Sequence, residues 1–245
     1  MNSRRDSLRA VLLDLDDTLL GNDIERFLPP YFAALGRRMA QFVAPDDLVK
    51  MLLASTRVMM KNDDPAITNQ QAFDADFFPR LGRPAASVRP TIAAFYEEDF
   101  PALKRHTQPR PQARPLVQAL FDQGFDVVIA TNPMFPRRAI EHRLDWAGVL
   151  DFPFKLVTSY ENSHFCKPNP HYYEEILGRL GCRPDQAMMV GDDLSNDIEP
   201  AAQVGLHTYW IVESPAQADP ASYAGRHGNL ADCLAWVQSG ALKSG

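Results

Sequence analysis

The sequence predicts an α/β protein, a parallel sheet with helices on both faces, into which one all-α lobe is inserted. Three observations point there. Short apolar runs recur, each followed by a polar or glycine-bearing turn and then a helical pattern, the alternation of a parallel sheet wrapped by helices. Runs such as VVIA, residues 127–130, are apolar without a break, as strands covered on both faces require. One gap is far longer than a crossover needs: Leu15 and Phe125 stand about 110 residues apart, whereas a βαβ unit takes about 30.

The first strand is expected over Ala10 to Leu15. The insertion follows, and its pattern is helical: Phe27, Tyr31, Leu35 and Met39 recur at every fourth residue. Leu48, Met51, Leu52 and Met59, then Phe73, Phe77 and Leu81, continue amphipathic faces, and no strand-like alternation interrupts them. The stretch TQPRPQARP, residues 107–115, restricts the backbone and reads as the return linker. Its prolines are too irregularly spaced for a ligand of a partner domain. The expected division is a main domain of residues 1–20 and 113–245 and a lobe of residues 21–112. Leu116, Val117, Leu120 and Phe121 predict a helix stopped by Gly124. Further strands are expected at Phe125 to Thr131, Lys155 to Thr158, Ala187 to Gly191 and Leu206 to Val212. Pro170 to Leu180 reads as a helix, with proline in the first turn and Gly181 as its stop. A closing helix runs through Leu230, Cys233, Leu234 and Val237.

With 245 residues and 45% hydrophobic content, the chain can bury a core and a smaller lobe without disulfides. A formal charge of -6 gives no broad positive field, so neither nucleic acid nor an anionic membrane is an expected partner. An anionic small substrate needs locally placed cations instead. Cys166, Cys182 and Cys233 lack CxxC spacing and read as reduced packing residues. The basic start MNSRRDSLR is like the first part of a signal peptide, but Asp14, Asp16 and Asp17 cut the apolar run at once. No stretch approaches the ~20 apolar residues that span a bilayer, so a cytoplasmic location is expected. Oligomeric state has no signature in the sequence.

The run VLLDLDDTLL sets Asp14, Asp16 and Asp17 at the carboxyl end of the first strand, where open α/β sheets place their binding crevices. If extended geometry persists, Asp14 and Asp16 share one side and Asp17 takes the other. Two like charges ~4 Å apart repel by roughly 4 kcal/mol at an effective dielectric near 20, so the pair needs a cation or a shared proton. A hard divalent ion together with a proton on Asp16 meets both needs. The bland alternative is a cluster of solvated loop acids.

At this point the sequence resembles the haloacid dehalogenase superfamily, in its phosphatase branch, whose first motif is an apolar strand followed by DxDxT. The resemblance implies a Rossmann-like core, Mg²⁺ as cofactor, Asp14 as the nucleophile that accepts the phosphoryl group, and Asp16 as the acid and base. The second motif matches VVIATN, which implies that the Thr131 hydroxyl and the Asn132 backbone N–H bind phosphoryl oxygens. CKPNPHYYEEIL fits the third, with Lys167 offsetting Asp14 and the incoming phosphate. MMVGDDLSNDIEPAAQVGL resembles the fourth: Asp192 would be the second carboxylate on magnesium, and the Asp16 backbone carbonyl another ligand. Asp197 would orient a metal-bound water from behind, and Asp193 is as well explained as a helix cap. A helical insertion between the first two motifs implies a cap of the first type that closes over the site and selects the substrate. In that cap Arg26, Arg57, Lys61 and Asn62 could contact a polar leaving group, but exposed basic residues on helices are usually solvated faces, and none is singled out.

The substrate expected is a small phosphorylated metabolite: sugar phosphates, acylated sugar phosphates, phosphoglycolate and nucleotides all suit the resemblance. Asp16 argues against a haloalkanoate dehalogenase, whose halide leaves without a proton, and LDDT argues against a phosphonate hydrolase. A phosphomutase keeps all four motifs and stays open. A receiver module of a signalling pathway has no long insertion after its first strand. A non-catalytic phosphate-binding regulatory protein is a further class, opposed by intact Asp14, Asp16, Thr131, Lys167 and Asp192.

Overall fold

Residues 7–212, 223 and 225–243 are described by the computed structural model, and the basic start, residues 1–6, lies outside them. In chain order the elements are β1 (Ala10–Leu13), β2 (Leu20–Gly21), α1 (Ile24–Met39), α2 (Pro45–Met60), α3 (Asn69–Leu81) and α4 (Ala85–Ala94). A wide turn over Phe95–Asp99 and a tight one over Phe100–His106 lead to β3 (Gln108–Pro109). Next come α5 (Ala113–Asp122), β4 (Asp126–Ile129), α6 (Arg137–Trp146), β5 (Leu156–Val157), α7 (Pro170–Leu180) and β6 (Ala187–Gly191). A wide helical turn, Leu194–Ile198, then precedes α8 (Glu199–Val204), β7 (His207–Ile211), β8 (Arg226–Gly228) and α9 (Leu230–Gln238).

Six strands form one sheet in the order β5-β4-β1-β6-β7-β8, every pairing parallel. This is the α/β, Rossmann-like class expected from the alternation of runs. Side chains of a strand alternate between faces, and here each face has its own core. Val11, Leu13, Val127, Ile129, Met188 and Val190 pack into one cluster with residues of α5, α6 and α9. Ala10, Leu12, Val128, Ala130, Ala187 and Met189 pack into a second with α7 and α8. Burial of both faces is why these strands are continuously apolar.

Between β2 and β3 the regular elements are all helical, joined by short connections at 40–44, 61–68 and 82–84. Asp23 caps α1 through the Glu25 and Arg26 N–H groups, and Thr68 with Gln71 forms a capping box on α3. Two features of this region depart from expectation. Residues 107–115 are more than a linker, because Gln108 and Pro109 pair antiparallel with Gly21 and Leu20. A pair of two-residue strands is too short to show alternation, so it left no mark in the sequence. The helix α4 is also additional, as are α6 and the edge strand β8, whose Arg226, His227 and Gly228 carry no apolar run. Among the described residues no helix is long and apolar enough to cross a membrane.

Candidate active site

Parallel pairing of β1 with β6 aligns Leu13 with Val190, so the two strands end side by side. Asp14 is the next residue on one and Asp192 lies just past the end of the other. The Asp14 N–H donates to the Val190 carbonyl at 2.9 Å, extending the ladder by one residue to Asp14. Lys167, on the approach to α7, places Nζ 2.8 Å from Asp14 Oδ1 and 2.5 Å from Asp197 Oδ1. One carboxylate oxygen from each of Asp14, Asp192 and Asp197 lies within 4.8 Å of the other two. Asp14 and Asp192 therefore face one cleft. Gly191 is required for this approach, because a Cβ there would stand 2.2 Å from Asp197 Oδ2.

Two of these buried or half-buried carboxylates, Asp14 and Asp197, share the Lys167 ammonium, the third, Asp192, accepts from the Thr18 hydroxyl, and their proton affinities follow. Burial raises the Asp14 carboxyl above its ordinary range, Lys167 opposes that, and Asp197 and Asp16 add to it. Burial likewise raises Asp192, reinforced by Asp14 and Asp197. Asp197 is raised by burial against the pull of Lys167. For Lys167, burial alone would lower the ammonium, but Asp14 and Asp197 outweigh it and hold it well above the usual lysine range. The cluster is short of positive charge and rich in hard oxygen donors. Such a set can hold a divalent cation.

Asp16 is placed differently from the expected pairing with Asp14. Its carboxylate does not join the cluster of three: Oδ1 accepts from Asn22 Nδ2 at 2.7 Å, and Oδ2 accepts from Arg143 Nη1. Arg143 is buried, on α6, with its guanidinium 4.7 Å from the centre of the Phe135 ring. Each member of the first carboxylate pair thus has its own side-chain cation, Arg143 for Asp16 and Lys167 for Asp14. The extended geometry does not persist to Asp17, which has φ of 55°, and its Oδ1 accepts the Asn22 N–H at 3.0 Å.

Thr131 and Asn132 follow β4 and reach the same end of the sheet. The Thr131 carbonyl accepts from Thr158 Oγ1 at 2.7 Å and Tyr172 Oη at 2.9 Å, and Asn132 Oδ1 accepts the Lys167 N–H at 3.2 Å. Thr18, the last residue of the first motif, donates its hydroxyl to Asp192 Oδ1 at 3.0 Å. Asp193 is a cap: Oδ1 accepts the Ser195 and Asn196 N–H groups, and Oδ2 accepts Asn196 Nδ2. Burial would raise its carboxyl, but these bonds hold it below the usual range.

Sequence reasoning missed Thr18, Asn22, Arg143 and Tyr172. Only Thr18 and Asn22 had a signal available, since they stand within eight positions of Asp14. Of the polar residues in the inserted helices, Arg26, Arg57 and Lys61 are exposed, and Arg26 pairs with Asp23 at 3.1 Å. Asn62 instead donates to the His164 carbonyl at 3.0 Å.

Residues 8–205 match the model of a family described as haloacid dehalogenase-like hydrolase. A glyceraldehyde 3-phosphate phosphatase of Methanopyrus kandleri is 31% identical over 216 residues, covering 83% of this chain and 84% of the relative. A phosphoglycolate phosphatase of Rhodospirillum rubrum is 28% identical over 200 residues, covering 81% of this chain and 77% of the relative. Among solved structures, an HAD phosphatase from Thermococcus onnurineus has the same fold, with a TM-score of 0.57 at 23% identity over 95% of this chain and 97% of that one. Three strand-end motifs and the Lys167 turn meeting at one end of the sheet, within a family match that spans most of the sequence, lead to one conclusion: the chain belongs to the haloacid dehalogenase-like hydrolases, as a phosphatase.

Proposed function

We propose that the protein hydrolyses a small phosphate monoester in two steps through a phospho-Asp14 intermediate, with Mg²⁺ as cofactor. The observation that carries this reading is the meeting of the Asp14, Asp192 and Asp197 carboxylates beside Lys167 at the ends of paired strands. Glyceraldehyde 3-phosphate and phosphoglycolate, named for the relatives, set the scale of substrate. Residues 1–20 and 113–245 act as the catalytic core and residues 21–112 as the cap.

Asp14 and Asp192 carboxylates and the Asp16 carbonyl would hold Mg²⁺, which when bound supplies positive charge against the phosphoryl oxygens. Lys167, the Thr131 hydroxyl and the Asn132 N–H bind the phosphoryl group, and Lys167 also neutralises the attacking carboxylate. An Asp14 oxygen forms the bond to phosphorus as the bond from phosphorus to the ester oxygen breaks. Asp16 delivers a proton to that departing oxygen. In the second step Asp16 takes a proton from water as the water oxygen attacks phosphorus. Phosphate leaves and Asp14 is restored. Both Asp16 oxygens accept hydrogen bonds here, from Asn22 and Arg143, so the group must give up one of these contacts and take a proton from solvent before it can deliver one to the ester oxygen. Asp197 positions Lys167.

Removing the nucleophile with Asp14→Asn is expected to lower kcat by on the order of 10⁴ or more. Chelating divalent metal should abolish release of phosphate, and adding Mg²⁺ back should restore it. Full activity in either case overturns the mechanism.

A further inference from the structure

Above the sheet the inserted helices enclose a cavity of about 570 Å³, within the size range of small-molecule pockets. Its wall is mostly apolar and aromatic, with Phe32, Phe73, Phe77 and Ile92 contributed by the insertion and Met134 and Phe135 by the core. The core side of its wall continues from the strand-end cluster: Met134 and Phe135 follow Thr131 and Asn132 along the chain, while Asp14, Thr131, Lys167 and Asp192 do not themselves line it. Phe135 is four residues beyond Thr131, a span of at most ~14 Å even if fully extended, and the Met134 N–H folds back onto the Asn132 carbonyl at 2.8 Å. The Phe135 ring also stacks on the Arg143 guanidinium that holds Asp16.

Charge on the wall is equally informative. Asp74, Glu97 and Glu161 face Arg89 and Arg138, three carboxylates against two guanidiniums. Both cations are already engaged, Arg89 with Asp74 at 2.6 Å and Arg138 with Glu97 at 2.8 Å. A second phosphate or a carboxylate on the ligand would therefore meet net negative charge and no uncommitted cation of the wall. Uncharged polar contacts on the wall are hydroxyls: Thr56 and Tyr160 line it, and the buried Tyr31 and Tyr96 hydroxyls are 2.9 Å apart, with only one of their two hydrogens used between them. Leu53 and Met60 carry the apolar character out to the mouth, as two of the four large hydrophobic side chains exposed among the described residues.

Resting on the phosphatase reading above, we propose that this cavity takes the organic part of the phosphate ester, and that this part is apolar, bulky and free of negative charge. The space is of the size that takes drug-sized ligands. A two- or three-carbon leaving group leaves most of it unfilled. The preferred substrate is thus a monoester of a long-chain or aromatic alcohol, with at most a hydroxyl or carbonyl for the tyrosine pair.

The test is calorimetric binding of n-alkyl phosphates from ethyl to octyl, and of phosphoglycolate, to the full chain bearing Asp14→Asn in Mg²⁺. Each methylene that enters the cavity is expected to tighten Kd roughly fourfold. Ala93→Trp, at an exposed position on the wall, should erase the gain for octyl phosphate and leave ethyl phosphate unaffected. Affinity independent of chain length, or phosphoglycolate bound as tightly as octyl phosphate, overturns the proposal. Turnover of the same esters by the unaltered protein separates the two readings: length-graded binding without Asp14-dependent phosphate release would support the cavity and sink the phosphatase mechanism.

Discussion

Arg143 brings a guanidinium that is 1% exposed against Asp16, whose side chain keeps 23% of its surface. Breaking a buried ion pair by removing one partner costs about 3–5 kcal/mol, and the solvent left to Asp16 moves the expectation to the low end. Arg143→Met should accordingly lower stability by about 3 kcal/mol in urea denaturation and reduce kcat, because Asp16 loses the group that orients it. Arg143→Lys should recover part of both, and unchanged stability and rate in the methionine variant would remove the arginine from the account. The sequence concealed this residue for a physical reason. The stretch RRAIEHRLDW does set Ala139, Ile140, Leu144 and Trp146 on a buried face, but polar residues fill the rest of it, and nothing local marks Arg143 as the one that turns inward with them. Asp14, Lys167, Asp192 and Asp197 were legible because each stands beside an unmistakable strand or a proline-bounded turn. The roles of Thr131 and Asn132 were read only from the order of motifs.

Among the elements, α3 has an unusual start. Asn69 is fully buried there, its N–H donating to the Ser163 carbonyl at 2.8 Å and its side-chain amide to the Pro133 and Phe165 carbonyls at 3.3 Å. The Gln70 N–H adds a bond to the Tyr160 carbonyl at 2.8 Å. These contacts tie the inserted helices to the two core segments that bear Thr131 and Lys167. Truncation by Asn69→Ala leaves buried carbonyls without donors and should cost about 1–3 kcal/mol, read from the shift of the denaturation midpoint. A neutral result would mean that water replaces the amide without loss. Long elements announced themselves, as the fourth-residue recurrence of Phe27, Tyr31, Leu35 and Met39 did for α1. Contacts between elements did not, since a buried Asn at a helix start reads locally like any cap, and two-residue strands such as β2 and β3 have no pattern to read.

At the scale of the whole molecule, the larger hydrophobic cluster runs without interruption from sheet residues such as Val11 and Ile129 to Phe27, Phe77 and Val88 of the inserted helices. Phe100 stacks on Trp146 of α6 at 5.4 Å between ring centres, joining the two regions face to face. The carboxylate cluster couples this whole to pH. In the metal-free protein burial and neighbouring acids push Asp14 up to about 7 and Asp192 up to about 8, from an ordinary value of 3.8. The folded state then binds more protons than the unfolded one between those limits, so metal-free stability falls as pH rises through that window. A divalent ion needs the same oxygens deprotonated, so its binding releases protons and strengthens as pH rises. The rise in Tm produced by Mg²⁺ should therefore be larger at about pH 8.5 than at about pH 6 in thermal scans, and the reverse order would contradict the assigned ligands. The small β2–β3 pair has a consequence of its own. Leu20 and Pro109 are partners across an antiparallel pair, where opposed Cα atoms lie only ~4.5–5.5 Å apart. The excursion of residues 22–107 hence departs and comes back at one spot, and a foreign segment spliced there needs no extra chain to bridge the junction. Any such transplant would succeed only if it carried its own greasy underside to meet Trp146.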